Sequence, residues 1–129
     1  MVYRLDYTDS EVWKVIHLRG HEGLEMYEVS NLGRVRSRDR IIERKGGGTY
    51  ARKGKVRRSF LCARGFVTTT LLKSCGKRFT IRVHRLVAEM FLPREIGKDH
   101  ILFVDGDRRN CRVTNLMRVS RISKSSYIP

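Results

Sequence analysis

Acidic residues are scarce in this chain. Asp and Glu number 13 against 28 Lys and Arg in 129 residues, a formal charge of +15. A solvated surface needs charge, but usually of mixed sign. A surplus this large on a small domain calls for a polyanionic partner, with nucleic acid ahead of an acidic membrane surface. No basic amphipathic helix is visible to serve a membrane. An apolar run of membrane-spanning length is missing too, and the start, MVYRLDYTDS, lacks the charged-then-apolar pattern of a secretion signal. An intracellular protein is therefore expected. Cysteine is equally sparse. Cys62, Cys75 and Cys111 are odd in number, and none lies in a C-x-x-C pair or a Cys/His cluster of zinc spacing. Reduced, partly buried thiols are the expectation.

The length suits one compact domain with a basic insertion. The charge is concentrated. Between Arg34 and Arg58 stand eleven basic residues and only Asp39 and Glu43 against them, nine of the fifteen surplus charges. The polyanion is expected to run along this middle segment.

The pattern of residues gives a coarse order of elements. Val12 to Ile16 (VWKVI) reads as a short strand with Trp13 and Ile16 as core candidates. Arg34-Val35-Arg36-Ser37-Arg38 alternates with period two, which puts three arginines on one strand face, and Ile41-Ile42 continues it. Arg44 to Arg58, with Gly46-Gly47-Gly48 at its centre, reads as a mobile basic loop or a solvated linker. Phe60 to Leu72 and Lys77 to Val83 form a hairpin around Ser74-Cys75-Gly76-Lys77. Phe79, Ile81 and Val83 take one face of its second arm, and Arg78, Thr80 and Arg82 the other. His84 to Leu92 switches to helical period, ended by Pro93. Ile101 to Val104 is a strand, Asp105-Gly106-Asp107 a turn, Arg112 to Leu116 a helical turn and Met117 to Ser120 a return strand. His17 and His21 have metal-ligand spacing only on a helix, and their Gly-rich surroundings argue against one.

Two segments resemble a known combination. WKVIHLRGHEGLEMYEVSNLGRVRS, Trp13 to Ser37, resembles the small nuclease-associated modular DNA-binding motif. VHRLVAEMFLP, Val83 to Pro93, followed by VDGDRRNCRVTNL, Val104 to Leu116, resembles the HNH homing-endonuclease domain that follows that motif. The resemblance implies an α+β fold, a small antiparallel sheet followed by a ββα-metal unit. It divides the chain into a DNA-binding motif (1–43), a basic flexible loop (44–59) and the HNH-like unit (60–129). It also implies DNA-backbone cleavage by a His base and one divalent cation such as Mg²⁺, often in phage or mobile elements. A phage- or virus-encoded protein acting in the host cytoplasm is one such setting.

The chain departs from the family where the chemistry lies. In the register set by Asp105-Gly106, Leu102 stands at the metal-ligand position and Phe103 at the base. Lys124 is the nearest match to the later ligand, and a charged Lys does not ligate a cation. No catalytic set is intact. His100 is the one weak candidate for a base, and period two turns it away from the Phe103 face. Neither a metal nor another cofactor is expected unless the nuclease reading holds. Asp105 and Asp107 are expected as turn formers, and Asn110 and Asn115 as partners of loop backbone. His84 is expected either to order the helix start or to bind phosphate.

The expected phosphate contacts are Arg34, Arg36 and Arg38; Lys53, Lys55, Arg57 and Arg58; Lys77, Arg78 and Arg82; His84 and Arg85; and Arg108 and Arg109. Arg34–Arg38 is the candidate for base readout in a groove. Arg108, Arg109, Arg112 and Arg118 crowd the position of the missing cation. Three functions stay open: a DNA-binding protein with cleavage lost, a nicking enzyme using His100, and a structural protein binding RNA or an acidic partner.

Overall fold

The computed structural model describes residues 10–120. Within them the fold is α+β: ten short strands in four antiparallel sheets, one α-helix and one 3-10 turn. No helix among the described residues is long and apolar enough to cross a membrane.

The first sheet is β1 (Trp13–Val15), β2 (Tyr27–Ser30) and β3 (Val35–Ser37), in that order. Period-two alternation turns Tyr27, Val29 and Val35 inward. The outward residues of β2 and β3 pair across the register, with Glu28 directly opposite Arg36. Trp13, expected in the core, is only half-buried. Its ring instead carries Arg36 at 3.9 Å and Arg34 at 5.6 Å.

The strand expected to continue through Ile41-Ile42 breaks after Ser37. β4 (Arg40–Glu43) turns back through Gly46–Gly48 into β5 (Thr49–Arg52), so part of the segment read as a loop, 44–59, is a strand. All three turn glycines have positive φ, which a residue with a Cβ rarely adopts. After β5 the chain returns alongside β3, where the Ser37 and Arg57 amides donate to Lys55 and Val35 carbonyls.

β6 (Phe60–Leu61), β7 (Val67–Leu72) and β8 (Arg78–Arg82) form the third sheet. Its register sets Thr68, Thr70 and Leu72 opposite Arg82, Thr80 and Arg78 on the outer face. Thr69, Leu71, Phe79 and Ile81 face the core. The predicted division of β8 into an apolar and a basic face therefore holds.

α1 (Val83–Phe91) buries Val83, Leu86, Val87 and Ala88 completely, at helical spacing. It stops at Leu92, which is extended as a residue before proline prefers to be. No basic residue lies in the last turn. Arg118, from β10 (Leu116–Val119), supplies the charge: its guanidinium donates to the Ala88 carbonyl at 3.1 Å and to the Leu92 carbonyl at 3.3 Å, with Glu89 at 3.7 Å. β10 pairs with β9 (His100–Phe103), placing Phe103 opposite Leu116 and Ile101 opposite Arg118. The 3-10 turn Val113–Asn115 leads into β10. Lys124 lies outside the described residues. α1 precedes the hairpin.

One core joins the two resembled segments. Ile16, Leu24, Tyr27, Val29 and Val35 pack with Leu71, the α1 residues, Ile101, Cys111 and Leu116. The seam is the turn after β2. Asn31 is fully buried, its Oδ1 accepting from the Val12 amide at 2.7 Å and its carbonyl from the Val113 amide at 2.8 Å. Gly33, at φ +86, lies so close to Cys111 that a Cβ would fall 2.9 Å from the Cys111 Cβ. Gly33→Ala is therefore expected to lower stability by about 2–4 kcal/mol, from a left-handed backbone and a backbone-level clash together. Urea unfolding checks it: the midpoint falls while the slope stays unchanged.

Candidate nucleic-acid interface

The arginines of the first sheet are already engaged. Arg34 makes a two-pronged pair with Glu11 at 2.6 and 2.9 Å, which raises its own pKa, and its hydrogen bonds hold the Glu11 carboxyl below the usual range. Arg36 pairs with Glu28 at 2.9 Å, and Arg38 donates to the Glu25 carbonyl. Arg34 and Arg36 share the Trp13 face, as period two requires, but their charge is largely matched by carboxylates.

The unmatched charge lies beside them. A groove of about 410 Å³ is lined by Arg40, Arg52, Lys53, Lys55, Arg57 and Arg58 together with Met26, Tyr27, Ser37 and Val56, and by no carboxylate. Asp39, the nearest acid in the chain, accepts the Gly54 amide at 2.7 Å. Arg40 and Arg52 are direct cross-strand partners, and like charges in that position repel unless an anion lies between or beside them. Arg57 is steadied by the Thr70 carbonyl at 2.9 Å and the Tyr27 ring at 5.7 Å. Sequence reading found Lys53 to Arg58 but missed Arg40 and Arg52. The charge run was visible, but the fold-back that groups its ends was not. Lys77 and Arg78 are exposed at the far end of the β7–β8 hairpin.

A second carboxylate-free cavity, about 240 Å³, lies where β9 meets the start of α1. Phe66, Arg82, His84, Arg85, His100, Leu102, Phe103 and Arg108 are among its lining residues. Its apolar wall is a ring cluster. Phe66 stacks on His84 with centroids 5.3 Å apart, and Phe103 lies 4.8 Å from His84 and 6.2 Å from Phe66. Above Phe66 stand Arg82 at 4.2 Å and Arg108 at 4.9 Å. His84 is buried in this stack, at the first turn of α1. The β9–β10 register keeps His100 on the face of Leu102, opposite that of Phe103. Phe66 had no sequence signal, because a phenylalanine in a Gly-flanked turn reads as ordinary apolar surface.

Arg118 departs from expectation. It is buried under the end of α1 and committed to carbonyls there, so it does not stand free to meet a phosphate. Arg109 is exposed beside Asp107, 3.7 Å away.

The Asp-Gly-Asp turn is closed by its own hydrogen bonds. Asp105 accepts from Asn110 Nδ2 at 2.9 Å, Asn115 Nδ2 at 3.0 Å and the Asp107 amide at 2.8 Å. Asn115 Oδ1 accepts the Asp105 amide at 3.0 Å, and Asp107 accepts the Arg109 amide at 2.9 Å. The expected turn and backbone roles of these residues match this geometry.

The donors at the cleft do not suit a divalent cation. Leu102 and Phe103 offer no ligand atom, Asp105 is engaged by three loop donors, and no group of three His, Cys, Asp or Glu side chains that could hold a metal ion forms among the described residues.

Two of the thiols border the cleft: the Cys62 amide donates to the Phe66 carbonyl, and Cys111 packs in the core. Cys62, Cys75 and Cys111 are all free, and burial pushes the Cys111 thiol up to about 11.

Comparison with known proteins finds two matches along the chain. Residues 11–71 match the NUMOD4 motif and residues 82–124 an HNH endonuclease family. A solved structure described as "DNA binding and cleavage by the HNH homing endonuclease I-HmuI" is similar, at 33% identity and a TM-score of 0.64. The similarity covers 89% of this chain and 56% of that one. No curated protein matches. HNH nucleases are typically metal-dependent.

The loop network sets a pH dependence. Hydrogen bonds from Asn110, Asp107 and Asn115 hold the Asp105 carboxyl below its ordinary range. A depressed carboxyl stabilises the fold above its unfolded pKa of about 4, and that contribution is lost as pH falls through the lower folded value. The urea midpoint of the wild type is expected to drop as pH falls below about 4. Asp105→Asn should start lower at pH 7 and show a shallower acid decline. A parallel decline in the two proteins would remove Asp105 as a cause.

Proposed function

The chain joins a NUMOD4 motif to an HNH endonuclease domain, and on that premise we propose that it is a duplex-DNA-binding protein on an HNH homing-endonuclease scaffold, with cleavage lost. The observation that carries the binding half is the groove of six cations without a carboxylate. Phosphates entering it relieve the Arg40–Arg52 repulsion and release counterions. Arg57, Arg58, Lys53 and Lys55 extend the track, and Lys77 and Arg78 offer further contacts on the β7–β8 hairpin.

Base readout falls to the β4–β5 ribbon rather than to Arg34 and Arg36, which are held by Glu11 and Glu28. A two-stranded ribbon fits the major groove of B-form DNA, and A-form RNA closes that groove to side chains. This favours DNA over RNA as the partner.

The cleavage half rests on Leu102 and Phe103. General-base hydrolysis needs a group that takes a proton from water and a cation that stabilises the charge on the phosphorus oxygens. An isobutyl group and a phenyl ring do neither. His100 is half-buried and lines the same cleft, but it stands on the strand face of Leu102, with no cation ligand supplied beside it.

Two measurements test the proposal. The logarithm of the association constant for a short duplex should fall with log[salt] at a slope of about −5 or steeper, as six phosphate contacts require; a flat plot would remove DNA binding. Supercoiled plasmid with Mg²⁺ or Mn²⁺ should stay uncut, and nicking that His100→Ala abolishes would restore the enzyme reading.

A further inference from the structure

Resting on that DNA-binding reading, we propose that the cleft at Leu102 and Phe103 is a metal-free seat for one backbone phosphate, held by Arg82 and Arg108 on the Phe66 ring. The charge of the cavity comes first. Three arginines and two histidines line it with no carboxylate, whereas the cavity beside α1 that contains Arg85 and Arg118 also contains Glu89, Glu95 and Asp99. The acids nearest in sequence are engaged elsewhere: Asp105 by Asn110 and Asn115, Asp107 by the Arg109 amide. Neither Arg82 nor Arg108 makes an ion pair among the described residues.

Preorganisation comes second. Two like-charged guanidiniums are each drawn to one phenyl ring, at 4.2 and 4.9 Å, and Arg108 is further fixed by the Arg64 carbonyl at 2.7 Å. A guanidinium has five N–H donors in a planar fork, and that carbonyl uses one of Arg108's. Their long side chains have therefore lost part of their freedom before any ligand arrives, which lowers the cost of binding. The ring cluster comes third. His84 and Phe103 back Phe66 with an apolar wall, and an apolar wall strengthens an arginine–phosphate contact beside it.

Phe103 thus has a use of its own. Where relatives are expected to place a base, it completes the stack under the two arginines. Two guanidiniums bring the same formal charge as one divalent cation and bind a phosphodiester through N–H donors. They offer no activated water, so the backbone is held without being cut.

The test uses the full chain and fluorescence anisotropy with a labelled duplex, in Mg²⁺ and in EDTA at matched ionic strength. The dissociation constant should be no smaller in Mg²⁺ than in EDTA, since Mg²⁺ competes for the phosphates and no cation enters the seat. Arg82→Gln/Arg108→Gln should weaken binding about 10–100-fold and flatten the salt slope by nearly 2. Arg94→Gln, at the Glu89 pair, should leave both unchanged. Should the double variant melt early, exposed Arg108 alone carries the test, with Arg108→Gln expected to flatten the slope by about 1. Tenfold tighter binding in Mg²⁺, or arginine variants that keep the wild-type slope, would overturn the seat while DNA binding stands. A wild type with no salt-dependent binding would overturn both.

Discussion

The structure depends on a missing Cβ. At Gly33 the chain has to reverse between β2 and β3 and also let the Cys111 segment lie against the turn, and only a hydrogen at that position permits both. The same turn uses Asn31 to tie Val12 on one side and Val113 on the other. The N-terminal motif and the C-terminal unit are thereby fixed to one core rather than strung as separate modules. The cationic groove along Arg40 to Arg58 and the ring-walled cleft at β9 are consequently held in a fixed relation, which a single duplex needs if it is to touch both.

Within that frame the polar contacts around the cleft serve mainly to hold the scaffold. The Asp105, Asn110 and Asn115 network shapes the loop. Arg118 ties β10 to the end of α1 through the Leu92 carbonyl and the Ala88 carbonyl, which also accepts the Leu92 amide. These interactions belong to the scaffold. The side chains of Leu102 and Phe103 take no part in them.

Much of this was legible in the sequence because it follows from local rules. Period two divided Arg78 to Val83 correctly, helical period located the helix over His84 to Leu92, and Asp-Gly-Asp announced its turn. The failures share a cause. Trp13 was read as core because it is large and apolar, yet an indole also attracts cations, and Arg36 lies over it. Arg44 to Arg58 was read as a loop because it is charged and glycine-rich. The pairing of β4 with β5 is set by a partner strand and by three glycines acting as a turn. Arg118 was counted with the surface arginines because nothing in its neighbours reveals that a helix ends above it. The ring cluster of Phe66, His84 and Phe103 joins positions far apart in the chain, and no spacing rule reaches that distance.

The stack around Phe103 has a consequence for how this protein can change. A single step back to a histidine at that position would trade a phenyl contact with two rings for an imidazole, while Leu102 still offered nothing for a cation to bind. The intermediate would have a weaker wall and no compensating activity. On the proposed reading, a change at Phe103 alone would loosen the wall before any cation site was gained, and the aromatic residue would act as a ratchet.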